Sequence, residues 1–519
     1  MTVKFISAKE VPGLIKDGDV VAVGGFIGTG VAEEIHEAVG NAYAEYAHPS
    51  NLTLLYAAGI GDGGERGLNH YGQEGMLKCV IGGHWGLAPK LQPLVASNQI
   101  EAYNFPQGVM SQLFREVAAN KPFLLSRVGL GTFVDPDIDG GKLNEKTVKD
   151  LVTKMTFDDE DFLAYTIPKP NVAILKGTYA DENGNISFDD EPLTLEATSV
   201  AMATKNSGGI VIVQVKNRVT TGSFDPRLVK IPGLFVDYVV EVTDVTKHMQ
   251  TFATQYNSEF IKSGIVKAEV SKAFPLNEKK IIARKSAMLL PPNAKIVNYG
   301  IGVPEYVAAV LKEEGIDRGY IPTLEPGTFG GTPQGGLDFG AAISPEAIID
   351  QTLMFDFYDG GGLDVAFLGL AECDQYGNIN VSKFGPKIAG TGGFVNITQN
   401  TKNVVFCGTF TAGGLKTSVN NGELSIDNEG KAMKFVENVE QITFSAETAR
   451  KNKQNVYYVT ERAVFKLVAD GIQLLEIAPG IDLQKDVLDH MAFKPIIYTN
   501  SFVTMEPAIF KEDKMGLGK

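Results

Sequence analysis

Short apolar runs alternate with amphipathic stretches through the first half of the chain. Strand-like runs lie at 20–23, 51–56, 172–175, 210–215 and 238–242, with helical patterns between them. Uninterrupted apolar runs of that length suit strands buried on both faces, and their alternation with helices predicts an α/β fold. Ser7 and Glu10 have the spacing of a capping box, so a helix is predicted from there to Asp17-Gly18. A glycine loop, Gly24-Gly25-Phe26-Ile27-Gly28-Thr29-Gly30, leads from the run at 20–23 into a helical stretch at 31–39.

The second half opens in the same way, with a strand-like run at 294–298, the loop Tyr299-Gly300-Ile301-Gly302-Val303-Pro304-Glu305 and another helix. Gly30-Val31-Ala32-Glu33 echoes Gly302-Val303-Pro304-Glu305, and Gly184-Asn185-Ile186 echoes Gly377-Asn378-Ile379. A weak repeat of this kind predicts two related open-sheet α/β domains in one chain. They are expected over 1–265 and 280–519, with the polar, lysine-rich stretch 251–279 as the linker. Asn421-Gly422 and Asp470-Gly471, each between alternating runs, predict β-hairpins in the second domain.

The 519 residues suffice for two domains, and 44% apolar against 21% charged residues is a globular balance. A net charge of −15 argues against a nucleic-acid surface, which needs a basic face. Cys79, Cys373 and Cys407 lie far apart without a CxxC, as free thiols in a reducing compartment would. The six histidines have neither HxxxH nor HExxH spacing, so no metal site is expected. The opening MTVKFISAKEVPGLIKDG lacks a signal-peptide core and no run is long enough to span a bilayer; a cytoplasmic protein without membrane contact is expected.

Three glycine loops invite a cofactor. Gly24 to Gly30 follows a strand, but its spacing is not GxGxxG and no acidic residue ends a second strand at the required distance. The stretch Gly408 to Thr417 has no glycine directly before Lys416 and fails as a phosphate loop; it reads as a turn into a hairpin strand. The third, Glu325-Pro326-Gly327-Thr328-Phe329-Gly330-Gly331, puts a carboxylate at the head of a glycine run, where backbone without side chains would let a substrate come close.

From this loop on, the motifs are recognisable. TLEPGTFGGTPQGG, FDFYDGGGLDVAFLGLAECDQYGNINVSKFG, IAGTGGFVNITQNT and VVFCGTFTAGGLK resemble the second half of the class I CoA-transferases, single-chain propionate/acetate type. In the first half, GGF, NFPQG, GLGTFVDP, GTYADENGNISF and VIVQVK resemble the same subgroup in the same order. The resemblance implies that Glu325 is the nucleophile, that Gln107 is an oxyanion donor, and that a backbone N–H of Gly392 or Gly393 is the second donor. It also implies substrate contacts at Gly25, Phe26, Phe329, Gly330 and Gly331, with Phe329 larger than relatives would suggest and able to reshape the acyl pocket. No tightly bound cofactor is implied. Coenzyme A enters as acyl-CoA substrate alongside a free short-chain acid, and the assembly expected is a homo-oligomer, a tetramer on the family's pattern.

The chemistry suits those residues. A carboxylate displaces a thiolate poorly, and covalent catalysis divides the exchange into two easier steps. Glu325 would carry CoA as a thioester between two acids, with preorganised N–H donors facing each tetrahedral oxyanion. An acyl-CoA hydrolase would use the same intermediate and admit water. A sugar-phosphate isomerase or ligand sensor on a similar fold would leave the glutamate-headed loop unexplained.

Overall fold

The computed structural model describes residues 3–264, 274–317, 319–498 and 502–518. The predicted linker thus lies partly outside the described residues, at 265–273. Contacts between Cα atoms divide the chain into two units. The first takes residues 1–266 together with 324–356 and 383–396, and the second takes the remainder. The glutamate loop and the GTGG segment therefore belong to the first unit, although both fall in the half of the sequence expected to form the second domain. Of the expected linker, 251–264 packs as part of the first unit, with Phe252 and Phe260 buried.

The first unit is built on eight parallel strands: β1 (Lys4–Ile6), β2 (Val20–Val23), β3 (Leu52–Tyr56), β4 (Leu77–Gly82), β5 (Glu101–Asn104), β6 (Val172–Lys176), β7 (Ile210–Val215) and β8 (Tyr238–Glu241). Their order is β1-β8-β7-β6-β2-β3-β4-β5. Every pairing is parallel. Val21, Ala22, Leu54, Leu55, Val213 and Ile212 are fully buried, because helices cover both faces of the sheet. Those helices include α1 (Glu33–Tyr46), α2 (Gln92–Ala96), α3 (Gln107–Ala118) and α4 (Ala197–Asn206).

The predicted strands match to within a residue or two. The helix predicted from Ser7 to Asp17 is instead a 3-10 turn ending at Leu14. Its capping box is formed, but Pro12 removes one amide donor and Gly13 adds chain entropy, so the turn does not extend.

In the second unit, β9 (Ile296–Tyr299), β10 (Ile321–Leu324), β11 (Val365–Gly369), β12 (Asn403–Cys407) and β13 (Asn455–Val459) pair in parallel in the order β10-β9-β11-β12-β13. The antiparallel strands β14 (Ala463–Val468) and β15 (Gly471–Ile477) continue from β13 as the hairpin predicted at Asp470-Gly471. The hairpin at Asn421-Gly422 is also present. Lys416 opens its first strand, as the turn reading of that glycine loop requires. All three cysteines are buried and free, and burial pushes the Cys79 and Cys407 thiols up to about 12.

The repeat is visible bond by bond. Asp181 Oδ1 accepts from the Asn183 and Asn185 amides, Asn185 Nδ2 donates to Asp181 Oδ2, and Asn185 Oδ1 accepts from the Gly233 amide. In the second unit Asp374 Oδ1 accepts from the Tyr376 and Asn378 amides, Asn378 Nδ2 donates to Asp374 Oδ2, and Asn378 Oδ1 accepts from the Ala446 amide. Each turn needs a left-handed residue, supplied by Gly184 at φ +82° and Gly377 at φ +92°.

Asp181→Ala would strand three donors at once. The expected cost is about 2–4 kcal/mol of stability, read as a fall in the denaturant midpoint with an unchanged slope.

Candidate active site

Parallel strands deliver their loops to one edge, and ligands in open α/β sheets bind at the carboxyl ends of the strands. β2 ends in the Gly24 to Gly30 loop, β3 in Ala57-Ala58-Gly59, β4 in Gly83-His84, and β5 in Phe105-Pro106 and the start of α3 at Gln107. Asn104, at the tip of β5, joins these ends. Its Nδ2 donates to the Gly82 and Gly83 carbonyls at 2.9 and 2.7 Å, and its Oδ1 accepts from the Thr391 amide at 2.9 Å.

The GTGG segment docks on that frame. The Gly392 amide donates to the Gly83 carbonyl at 2.8 Å, and the Gln107 amide donates to the Gly392 carbonyl at 2.9 Å. Gly83 is fixed as glycine by close approach, since a Cβ there would stand 2.1 Å from the Ala57 carbonyl oxygen. The two candidate donors are thereby separated. Gly392 has spent its N–H, whereas the Gly393 N–H has no partner among the described residues, directly before the short helix Phe394–Asn400.

Gln107 is buried, and its side-chain Nε2 donates to Gln351 Oε1 at 3.0 Å. Gln351 Nε2 donates in turn to Glu196 Oε2 at 2.7 Å. Glu196 Oε1 is buried without a partner. Burial, with the charge of Asp350 nearby, pushes the Glu196 carboxyl up to about 8. Sequence reasoning missed Glu196 and Gln351, which stand in no motif and gain meaning only from the hydrogen bonds they share.

Glu325 occupies the turn after β10. The Gly327 amide closes that turn on the Leu324 carbonyl at 3.0 Å, and Gly327 O accepts from Ile349 at 2.9 Å. Leu324 packs in one buried cluster with Phe26, Ile27, Ala58, Leu193, Leu195 and Phe339. Glu325 is half-buried, and burial pushes its carboxyl up to about 7. Phe26 meets Phe339 at 5.8 Å between ring centroids. Phe26 and Pro326 also close on Gly340 from two sides, so Phe26 borders the Glu325 turn.

At three of the other expected substrate contacts the chain itself fills the room a side chain would need. A Cβ on Gly25 would stand 3.0 Å from Val31, one on Gly330 would meet the Glu346 side chain at 2.6 Å, and one on Gly331 would meet the Ile343 carbonyl at 2.5 Å. Phe329 is half-buried in the two-residue strand Thr328–Phe329 that pairs with Ala347–Ile348.

His84 was not anticipated. A side chain built on Gly392 would lie 3.7 Å from Gln107 Oε1 and 3.8 Å from the His84 ring, so these three residues meet. Burial pushes the imidazole down to about 4, leaving it neutral. Among the described residues no group of three or more His, Cys, Asp or Glu side chains could hold a metal ion, and no helix is long and apolar enough to cross a membrane.

Residues 6–242 match the Coenzyme A transferase family. The chain is 45% identical over 519 residues to the caffeate CoA-transferase of Acetobacterium woodii, covering 99% of this chain and 98% of that one. It is 41% identical to the acetate CoA-transferase YdiF of Escherichia coli, covering 99% and 96%. The crystal structure of an Escherichia coli acyl-CoA transferase (YdiF) in thioester complex with CoA superposes with a TM-score of 0.93 at 39% identity, over 99% of this chain and 98% of that one. The chain belongs to the coenzyme A transferase family, and it is a CoA-transferase.

Proposed function

We propose that the protein moves CoA between a short-chain acyl-CoA and a free carboxylate by a ping-pong route through a thioester on Glu325. The observation that carries this reading is a carboxyl raised to about 7 in a turn lined by apolar residues. Partial loss of water makes its ionised form a stronger base and nucleophile while leaving it substantially ionised at neutral pH. The thioester complex of the Escherichia coli relative supports a covalent route.

In the first step a Glu325 carboxylate oxygen attacks the acyl-CoA carbonyl and CoA leaves as thiolate, giving a mixed anhydride. The thiolate then attacks the glutamyl carbonyl, the first acid departs as carboxylate, and CoA remains on Glu325. A second acid runs these steps in reverse. The energy of the thioester is kept throughout, so the exchange needs no ATP. The unspent N–H of Gln107 and the Gly393 amide face the oxyanion in this reading, each worth about 3–4 kcal/mol in the transition state. Phe26 and Phe339 bound the acyl side and favour a small acid. The paired Asp/Asn turns support descent of the halves 1–265 and 280–519 from one duplicated unit.

Incubation with acetyl-CoA and no acceptor acid should give a CoA adduct on the peptide containing Glu325, absent in Glu325→Ala and discharged by propionate. Free CoA accumulating without an adduct would point to a hydrolase. Neither adduct nor CoA release would remove the proposed step.

The raised carboxyl sets the pH dependence. The nucleophile is the ionised form, so kcat/KM for acetyl-CoA should fall about tenfold per pH unit below about 7 and level off above it, apart from any second ionisation. A pH–rate profile flat from 5 to 8 would contradict this.

Stability should run the opposite way. A carboxyl raised in the folded state binds its proton more tightly there, so its charge destabilises the fold as pH rises from about 4.5 to about 7 and above. Glu325→Gln should be more stable than the natural chain by about 1–3 kcal/mol at pH 8, with the difference vanishing near pH 4.5, as followed by thermal unfolding across pH.

A further inference from the structure

We propose that Glu196 and Gln351 are positioning residues for the transfer: Glu196 orients the Gln351 amide, and Gln351 orients the Gln107 amide, so that a free N–H of Gln107 faces the acyl oxygen. The inference rests on the reading of Gln107 as an oxyanion donor. It adds two residues that touch neither substrate nor CoA in that reading.

A glutamine amide can be turned over at little cost unless its neighbours tell oxygen from nitrogen. Here the direction is imposed from one end. Glu196 offers Oε2 to Gln351 Nε2, which turns Gln351 Oε1 toward Gln107, and that oxygen can accept only the Nε2 end of Gln107. Were Gln351 reversed, it would present a donor, and Gln107 would have to turn its carbonyl toward Gln351, so the direction of the Gln107 amide follows that of Gln351. With one Gln107 hydrogen spent on Gln351, the other has no partner among the described residues.

The backbone holds the far end of this chain of bonds rigidly. Leu195 is left-handed at φ +53°, a strained conformation for a branched apolar residue, and its carbonyl accepts from the Gln351 amide at 3.0 Å. Thr194 Oγ1 donates to Asp350 Oδ1 at 2.5 Å. Two strand-to-helix joins are thus locked on either side of the Glu196–Gln351 bond.

α3 and the helix Gln351–Asp359 have further ties besides the relay. Arg115 pairs with Asp356 at 2.6 Å, Gln112 Nε2 donates to the same carboxylate at 3.1 Å, and Thr352 Oγ1 donates to the Ser111 carbonyl at 3.3 Å. Removing the relay should therefore spoil aim more than fold.

The charge state of Glu196 is consistent with this role. Asp350 is the charged group acting on it, Lys176 and Glu191 pair with each other at 2.9 Å, and α3 brings its charges, Arg115 and Glu116, two turns beyond Gln107. Raised to about 8, Glu196 is mostly protonated at pH 7, and with that proton on the partnerless Oε1 its Oε2 is left to accept from Gln351 without a full negative charge beside the reacting atoms.

The test is a double-mutant cycle on kcat, with each variant's melting temperature and its Glu325 adduct measured in the same preparation. Gln351→Leu and Glu196→Ala should each lower kcat about 10- to 100-fold with KM for acyl-CoA changed less than about threefold. Glu196→Gln, which keeps an oxygen for Gln351, should recover most of the loss and guards against a folding defect in the alanine variant. In a Gln107→Ala background, Gln351→Leu should cost less than about twofold more, because its effect runs through Gln107. Full multiplication of the two losses, unchanged kcat in Gln351→Leu, or no recovery in Glu196→Gln would overturn the relay. Absence of a Glu325 adduct in the natural chain would instead overturn the transfer route itself, a result distinct from failure of the cycle.

Discussion

On the proposed route, the organising constraint of the first unit is that the Glu325 carboxylate must be kept reactive where part of its water has been removed. Burial alone would neutralise such a group, and fixed dipoles are the means of holding charge there without water. Helices beginning at Gln107, Ala197, Gln351 and Phe394 are tied together at or just before their first residues, by Gln107 to Gln351, by Gln351 to Glu196 and by the Gln107 amide to Gly392. Each helix start carries partial positive charge. Helix starts bonded to one another in this way favour negative charge locally in a chain whose net charge is −15.

Much of this was legible in the sequence, for reasons that can be named. The strands at 20–23 and 210–215 are buried on both faces, so their apolar runs carry no alternation to misread. The hairpins were set by Asn-Gly and Asp-Gly, where backbone geometry restricts the residue. The helix predicted after Ser7 stops short because its capping signal is real while Pro12 blocks propagation. The resemblance named Glu325 and Gln107, yet left Gly392 and Gly393 equal. Which amide is spent depends on the Gly83 carbonyl, more than 300 residues away in sequence, and no local pattern encodes that. Glu196 and Gln351 were invisible for the same reason, being 155 residues apart and in contact only when folded.

The glycines teach a related lesson. Gly330 and Gly331 look from the sequence like a floor for substrate, but the chain packs against them: Glu346 and the Ile343 carbonyl occupy the room a side chain would need. The loop that holds Glu325 is thus shaped by its own return segment, tied through Gly327 and Ile349 to the residues just before Gln351. The turn of the proposed nucleophile and the anchor of the proposed donor are therefore consecutive parts of one piece of chain.

On the proposed route the reacting atoms carry a single negative charge at every stage: on Glu325, on the oxyanion, on the departing thiolate, and on the released acid. No proton enters or leaves, so a general acid or base has nothing to do. That accounts for a neutral imidazole beside the site, since His84 at about 4 would neither donate nor take a proton at pH 7. It also separates the tasks of the two raised carboxyls. Glu325 must lose its proton near neutrality to act, whereas Glu196, at about 8, must keep its own so that the constant charge stays one and not two. Fixed N–H donors whose direction is set by neighbours, rather than groups that titrate during turnover, are what a charge that moves but never changes in number requires.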